Sequence, residues 1–112
     1  MDRHGITEKD WKLFRSKVVG WQEAYMERLN KEYIELLSSD EDESEKFWRL
    51  EKRIREDKKK AGVQLRMSRS EMFFNILSLV REGAIGSEDL VDFSEDLQEK
   101  VKYFAEEYFF EE

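Results

Sequence analysis

Residues able to do covalent chemistry are scarce in this chain, and their spacing forms no catalytic constellation. The single histidine is His4, at the start of the chain and outside any apolar pattern that would wall a pocket around it. Without a second base or an aligned nucleophile, it has no partner for general acid–base work. Serines are present, but none stands in a Gly-x-Ser-x-Gly turn. Cysteine is absent, which removes thiol catalysis, disulfides and zinc-finger chemistry. The glycines of Gly83-Ala84-Ile85-Gly86 lack the lysine and the preceding strand of a phosphate-binding loop.

Metal chemistry fares no better. A carboxylate-bridged metal in a helical bundle needs Glu-x-x-His on inward faces, and no such pair occurs. Asp40, Asp42 and Ser44 have the alternation of a calcium loop, but the sixth position has no glycine for the sharp turn. They are expected to form a solvated acidic loop over 38–44. No cofactor and no metal site are expected, and the chain is not expected to be an enzyme.

Charge offers two non-covalent readings. Net charge is −7, unevenly spread: residues 38–51 carry −4, residues 52–69 carry +6 and residues 87–112 carry −8. The cations Lys52, Arg53, Arg55, Lys58, Lys59 and Lys60 could touch phosphates without reading sequence, since backbone contact needs little beyond clustered positive charge. A salt-bridged, solvated helix face explains the same residues more simply, and direct nucleic-acid binding is not expected. Conversely, Asp92, Asp96 and Glu99 lie along the last helical pattern. Such an acidic face could occupy the cationic groove of a nucleic-acid-processing enzyme, as an inhibitor that mimics nucleic acid. The basic middle and the acidic end are otherwise expected to lie close together in the fold or in an oligomer.

Aromatic residues give the strongest hint of function. At about 100° per residue, Phe104 and Tyr108 continue a stripe set by Leu90, Phe93, Leu97 and Val101. Tyr103 and Phe110 fall nearly opposite, and Phe109 between the two. One helix face cannot cover all of them, so Tyr103, Phe109 and Phe110 are expected to form a protein interface, with Trp48 as a second anchor. Self-association, as a homodimer, is the expected use.

The elements that must position these residues are all helices. Proline is absent and periodicity at 3- and 4-residue spacing runs through most of the chain. Thr7 with Asp10 reads as an N-cap, followed by the stripe Trp11, Phe14, Val18, Trp21, Tyr25, Leu29, Tyr33 and Leu36. A helix over 8–37 would be roughly 45 Å long, whereas a compact chain of this size has a radius of gyration near 13 Å. An elongated bundle or a dimer resolves the conflict. Gly20 lies on the polar side of this helix, where it marks either a close crossing or nothing.

The second helix carries Phe47, Leu50, Ile54, Ala61 and Leu65 on one face, with Trp48 off it. Ser68 with Glu71 reads as a capping box for a third helix, the most buried, bearing Met72, Phe73, Ile76, Leu77, Leu79 and Val80. Gly83 supplies its C-cap, and Ser87 caps the last helix. The expected fold is therefore all-α: one domain over 1–112, a small elongated bundle of about four helices with a long first helix and mobile residues 1–6. The longest apolar run, Met72 to Val80, is far short of the ~20 residues that span a bilayer. No signal peptide is read at the N-terminus, and a cytoplasmic protein without membrane contact is expected. The expected function is that of a non-enzymatic protein-binding or regulatory module.

Overall fold

The computed structural model describes residues 7–108. Among them are four α-helices and no strand: α1 (Glu8–Leu37), α2 (Glu43–Asp57), α3 (Met72–Arg81) and α4 (Glu95–Tyr108). Short 3₁₀ turns precede α3 (Arg69–Glu71) and α4 (Ser87–Leu90). The molecule measures 54 × 31 × 21 Å with a radius of gyration of 16.5 Å, so it is elongated, as a long first helix requires. Residues 1–6, expected to be mobile, lie outside the described residues.

α1 begins where the sequence places it. The Thr7 side chain accepts a hydrogen bond from the Asp10 backbone N–H at 3.0 Å, satisfying one of the orphan donors of the first turn. The helix then runs for 30 residues and serves two different partners. Its first half buries Trp11, Phe14 and Val18 in a core shared with Met72, Phe73, Ile76, Leu77 and Leu79 of α3 and with Leu97 and Val101 of α4. Rings link these elements: Phe14 meets Trp21 at 6.1 Å, Trp21 meets Phe93 at 6.2 Å, and Phe73 meets Phe104 edge-on at 5.5 Å. Full burial of each large apolar side chain contributes about 1.5–3 kcal/mol, so this head holds most of the apolar stabilisation.

One buried carboxylate fastens the head. Asp10 is almost wholly enclosed, and its two oxygens accept from the Ser94 backbone N–H at 2.9 Å and the Ser94 hydroxyl at 2.6 Å. The same hydroxyl oxygen accepts from Leu97 N–H at 3.2 Å, as an N-cap does. α4 therefore starts at Glu95 rather than at the cap expected at Ser87. Ser87 opens only a 3₁₀ turn, and residues 91–94 interrupt the helix. The apolar spacing Leu90, Phe93, Leu97 is compatible with either course, which is why periodicity alone misplaces the start.

α3 is the most buried helix, as expected, and ends in a Schellman turn. Ala84 N–H donates to Leu79 carbonyl at 2.9 Å and Gly83 N–H to Val80 carbonyl at 3.0 Å, with Gly83 at φ +77°. Its start is corrected: Ser68 makes no capping bond, and its hydroxyl lies 2.9 Å from that of Ser70 instead.

The second half of α1 pairs with α2 as a hairpin arm. α2 starts at Glu43, so the acidic loop is shorter than expected, and it ends at Asp57, before Ala61 and Leu65. Beyond the helix, Gly62 lies against the Tyr25 ring, where a Cβ would overlap the ring carbons. The Glu82 carboxylate accepts from the backbone N–H groups of Ala61 (2.9 Å) and Gly62 (3.0 Å), and Gln22 donates to the Ala61 carbonyl at 2.9 Å. These bonds take up backbone groups that a continued helix would have used. Gly20 marks no crossing: a Cβ there would meet open space.

Candidate functional site

The arm inverts the usual arrangement of an amphipathic helix. Lys46, Arg53 and Asp57, spaced seven and four residues apart, form the side of α2 that meets α1. Lys46 is buried, and its ammonium donates to the carbonyls of Leu37 (3.0 Å) and Ser39 (3.2 Å), satisfying the C-terminal end of α1. Arg53 donates to Glu32 at 2.7 Å and lies over the Tyr33 ring at 5.5 Å. Asp57, also buried, accepts from the Tyr33 hydroxyl at 2.6 Å. Burial, then the hydrogen bond to the Asp57 carboxylate and its negative charge, push the Tyr33 phenol up to about 12.

The apolar side of α2 consequently faces out. Phe47 and Trp48 are each 63% exposed and Ile54 is 39% exposed. Phe47, Leu50 and Ile54 line an open groove of ≈ 420 Å³ together with Glu51, Arg55 and Lys58. The Trp48 ring stands edge-on to Phe47 at 4.9 Å, extending the patch around the helix. Ile34 and Leu37 add exposed apolar surface at the end of α1. Of the expected face of Phe47, Leu50 and Ile54, Phe47 and Ile54 are therefore exposed and Leu50 is half-buried. Trp48 is exposed.

The other residues singled out from the sequence are distributed as follows. Tyr103 is 57% exposed and stands edge-on to Phe104 at 5.4 Å, while Phe104 itself packs on the head. Phe109 and Phe110 lie outside the described residues. Asp92 and Asp96 are exposed but partnered, by Lys17 at 3.9 Å and Lys100 at 3.5 Å. Glu99 borders a second open groove, of ≈ 690 Å³, between α3 and α4, where Val80, Ile85, Leu90 and Val101 form the floor and Lys102 the rim.

The basic segment is partly consumed within the arm. Arg53 pairs with Glu32 and Asp57, Arg55 with Glu51, and Lys60 with Asp57. Lys52, Lys58 and Lys59 make no ion pair among the described residues. Nor do the cations of 52–69 pair with the acidic end: Arg69 reaches Glu8 and Arg66 reaches Glu71. The expected proximity of basic middle and acidic end is not found as ion pairs within the described chain.

Sequence reasoning missed Lys46, Asp57 and Tyr33 as the polar seam that turns α2 over. A signal was available: Tyr25 and Tyr33 both place a hydroxyl on the α1 stripe, and a phenol taken from water needs a partner. Among the described residues no group of three or more acidic, histidine or cysteine side chains could hold a metal ion, and no helix is long and apolar enough to cross a membrane. No family model, curated protein or solved structure matches the chain.

Proposed function

We propose that this protein is a non-enzymatic protein-binding module whose contact surface is the outward apolar face of α2. One observation carries the reading: α2 commits Lys46, Arg53 and Asp57 to its own α1 and leaves Phe47 and Ile54 exposed beside a half-buried Leu50. A helix free to choose would bury those residues and solvate the charges. Exposed aromatic clusters rimmed by charge are the surfaces through which proteins meet. Trp48 belongs to this surface as its rim anchor. Tyr103 is a lesser candidate, being an exposed ring on an acidic helix without an aromatic groove beside it among the described residues.

Inhibition of a nucleic-acid-processing enzyme through Asp92, Asp96 and Glu99 has weaker support. Two of those three carboxylates already have lysine partners, which lowers the negative potential they can offer to a cationic groove.

The test is site-specific photo-crosslinking in cells that express the chain. A benzophenone side chain replaces Phe47 in one variant and Val19, equally exposed but on α1 in the head, in another. The reading predicts a protein adduct, with any chain, at position 47 and none at 19. Equal adducts at both, or none at 47, would reject it.

A further inference from the structure

Resting on that reading, we infer that the occupant of the α2 face is α2 of a second copy, packed antiparallel across a two-fold axis between Leu50 and Glu51. A two-fold interface must be self-complementary, each patch matching itself after rotation. α2 meets that condition along its whole length. Its start is acidic, with Asp40, Glu41, Asp42, Glu43 and Glu45. Its end is basic, with Lys52, Arg53, Arg55, Lys58, Lys59 and Lys60, and the apolar residues lie between.

Charges remain at both ends after the internal ion pairs are formed. Asp40 and Asp42 make no ion pair among the described residues, and neither do Lys58 and Lys59. Glu43 reaches Lys46 at 3.2 Å, yet its side chain is still almost fully exposed. With the axis between Leu50 and Glu51, Phe47 faces Ile54 of the partner subunit, and Glu43 faces Lys58 of the partner subunit. Glu51, close to the axis, brings its own counter-ion, Arg55 at 2.6 Å, so the two copies of Glu51 do not meet as bare charges. A parallel pair would instead set acid on acid and base on base, which disfavours it. Two hairpin arms joined this way make a four-helix bundle with the heads at its outer ends.

Charge exchange tests the arrangement. One variant carries Lys58→Glu with Lys59→Glu, the other Asp42→Lys with Glu43→Lys. Solution mass is measured by light scattering on the unaltered chain, on each variant and on their equimolar mixture, with circular dichroism on each. The unaltered chain should be a dimer that weakens with salt. Each variant alone should dissociate at least about tenfold more readily, because like charges then meet at both ends. The mixture should dimerise again, since every end then meets its opposite. An unaltered chain that stays monomeric up to its solubility limit overturns the pairing, as do variants that dimerise undiminished or a mixture that stays monomeric. A monomer would leave the α2 face as a contact surface for a foreign protein, which the crosslink at position 47 decides separately.

Should either charge variant lose helix, cysteine pairing replaces it in a chain that has no cysteine of its own. Phe47→Cys mixed with Ile54→Cys should oxidise to a disulfide-linked heterodimer. Phe47→Cys alone should not, its sulfurs being offset by about 10 Å along the helices. The reverse pattern overturns the register.

Discussion

The two halves of α1 carry the same kind of stripe and meet opposite kinds of partner. In the head, Trp11, Phe14 and Val18 face apolar side chains of α3 and α4, and the interface is apolar and ring-linked. In the arm, Tyr33 and Glu32 face Asp57 and Arg53, and the interface is a hydrogen-bonded seam. The head therefore has an apolar core of its own, while the second half of α1 combines buried Tyr25 and Leu29 with the polar seam, and the arm leaves Phe47 and Ile54 exposed. The comparison teaches that a stripe on one helix does not say which face its neighbour will turn toward it.

Substitution of core aromatics should give the largest contrast. Phe73→Ala, at a fully buried ring, should cost about 3–5 kcal/mol of monomer stability, whereas Phe47→Ala in the arm should change it by less than about 0.5 kcal/mol. Denaturant unfolding at low protein concentration measures both, and a comparable loss at Phe47 would erase the distinction between head and arm.

The junction of the two regions comes next. Gly62→Ala forces a Cβ into the Tyr25 ring and should cost about 1–3 kcal/mol, through displacement of the 61–62 turn from Glu82. Hydrogen exchange should then rise at Ala61 and residue 62 while the α3 core stays protected; unchanged exchange at the turn would show that the packing there is slack.

A smaller effect should follow pH. The Tyr33 phenol is raised in the folded chain from 10.0 to about 12, so folding favours its protonated form. Its contribution is complete below pH 10 and is lost as pH rises through 12. The difference in unfolding midpoint between the unaltered chain and Tyr33→Phe should shrink across that window, and a constant difference would remove Tyr33 from the seam's pH response.

The smallest expected change is a gain. Gly20→Ala, in open space on α1, should stabilise by up to about 1 kcal/mol. A loss there would mean that the long helix bends at Gly20 in solution.

The sequence made the head far more legible than the arm. Helical spacing identifies α1 from Thr7 to Leu37 and the burial of α3, because runs such as Met72, Phe73 and Ile76 can only be core. Gly83 was readable as a C-cap, since a positive φ at a helix end calls for glycine. The start of α4 was not readable, because Ser87 and Ser94 are both competent caps and the choice is made by Asp10, 84 residues away from Ser94. The orientation of α2 was misread for the same reason. Phe47, Leu50 and Ile54 have the spacing of a core face, yet Phe47 and Ile54 are exposed, with Lys46, Arg53 and Asp57 bonded to α1 on the neighbouring side of the helix. Tyr103 was correctly separated from the stripe of Leu97 and Val101, since its angular position on the helix depends on no distant residue.

The most direct measurement is solution mass by light scattering on the unaltered chain, on Phe47→Ser with Ile54→Ser, and on Tyr103→Ser. Truncation before Tyr103 would be a poorer choice, because it removes Phe104 and Ala105 from the head. The unaltered chain should be a dimer that the arm substitutions reduce to a folded monomer and that Tyr103→Ser leaves intact. A dimer unaffected by the arm substitutions but dissolved by Tyr103→Ser would contradict that expectation and return the contact surface to the aromatic end of α4.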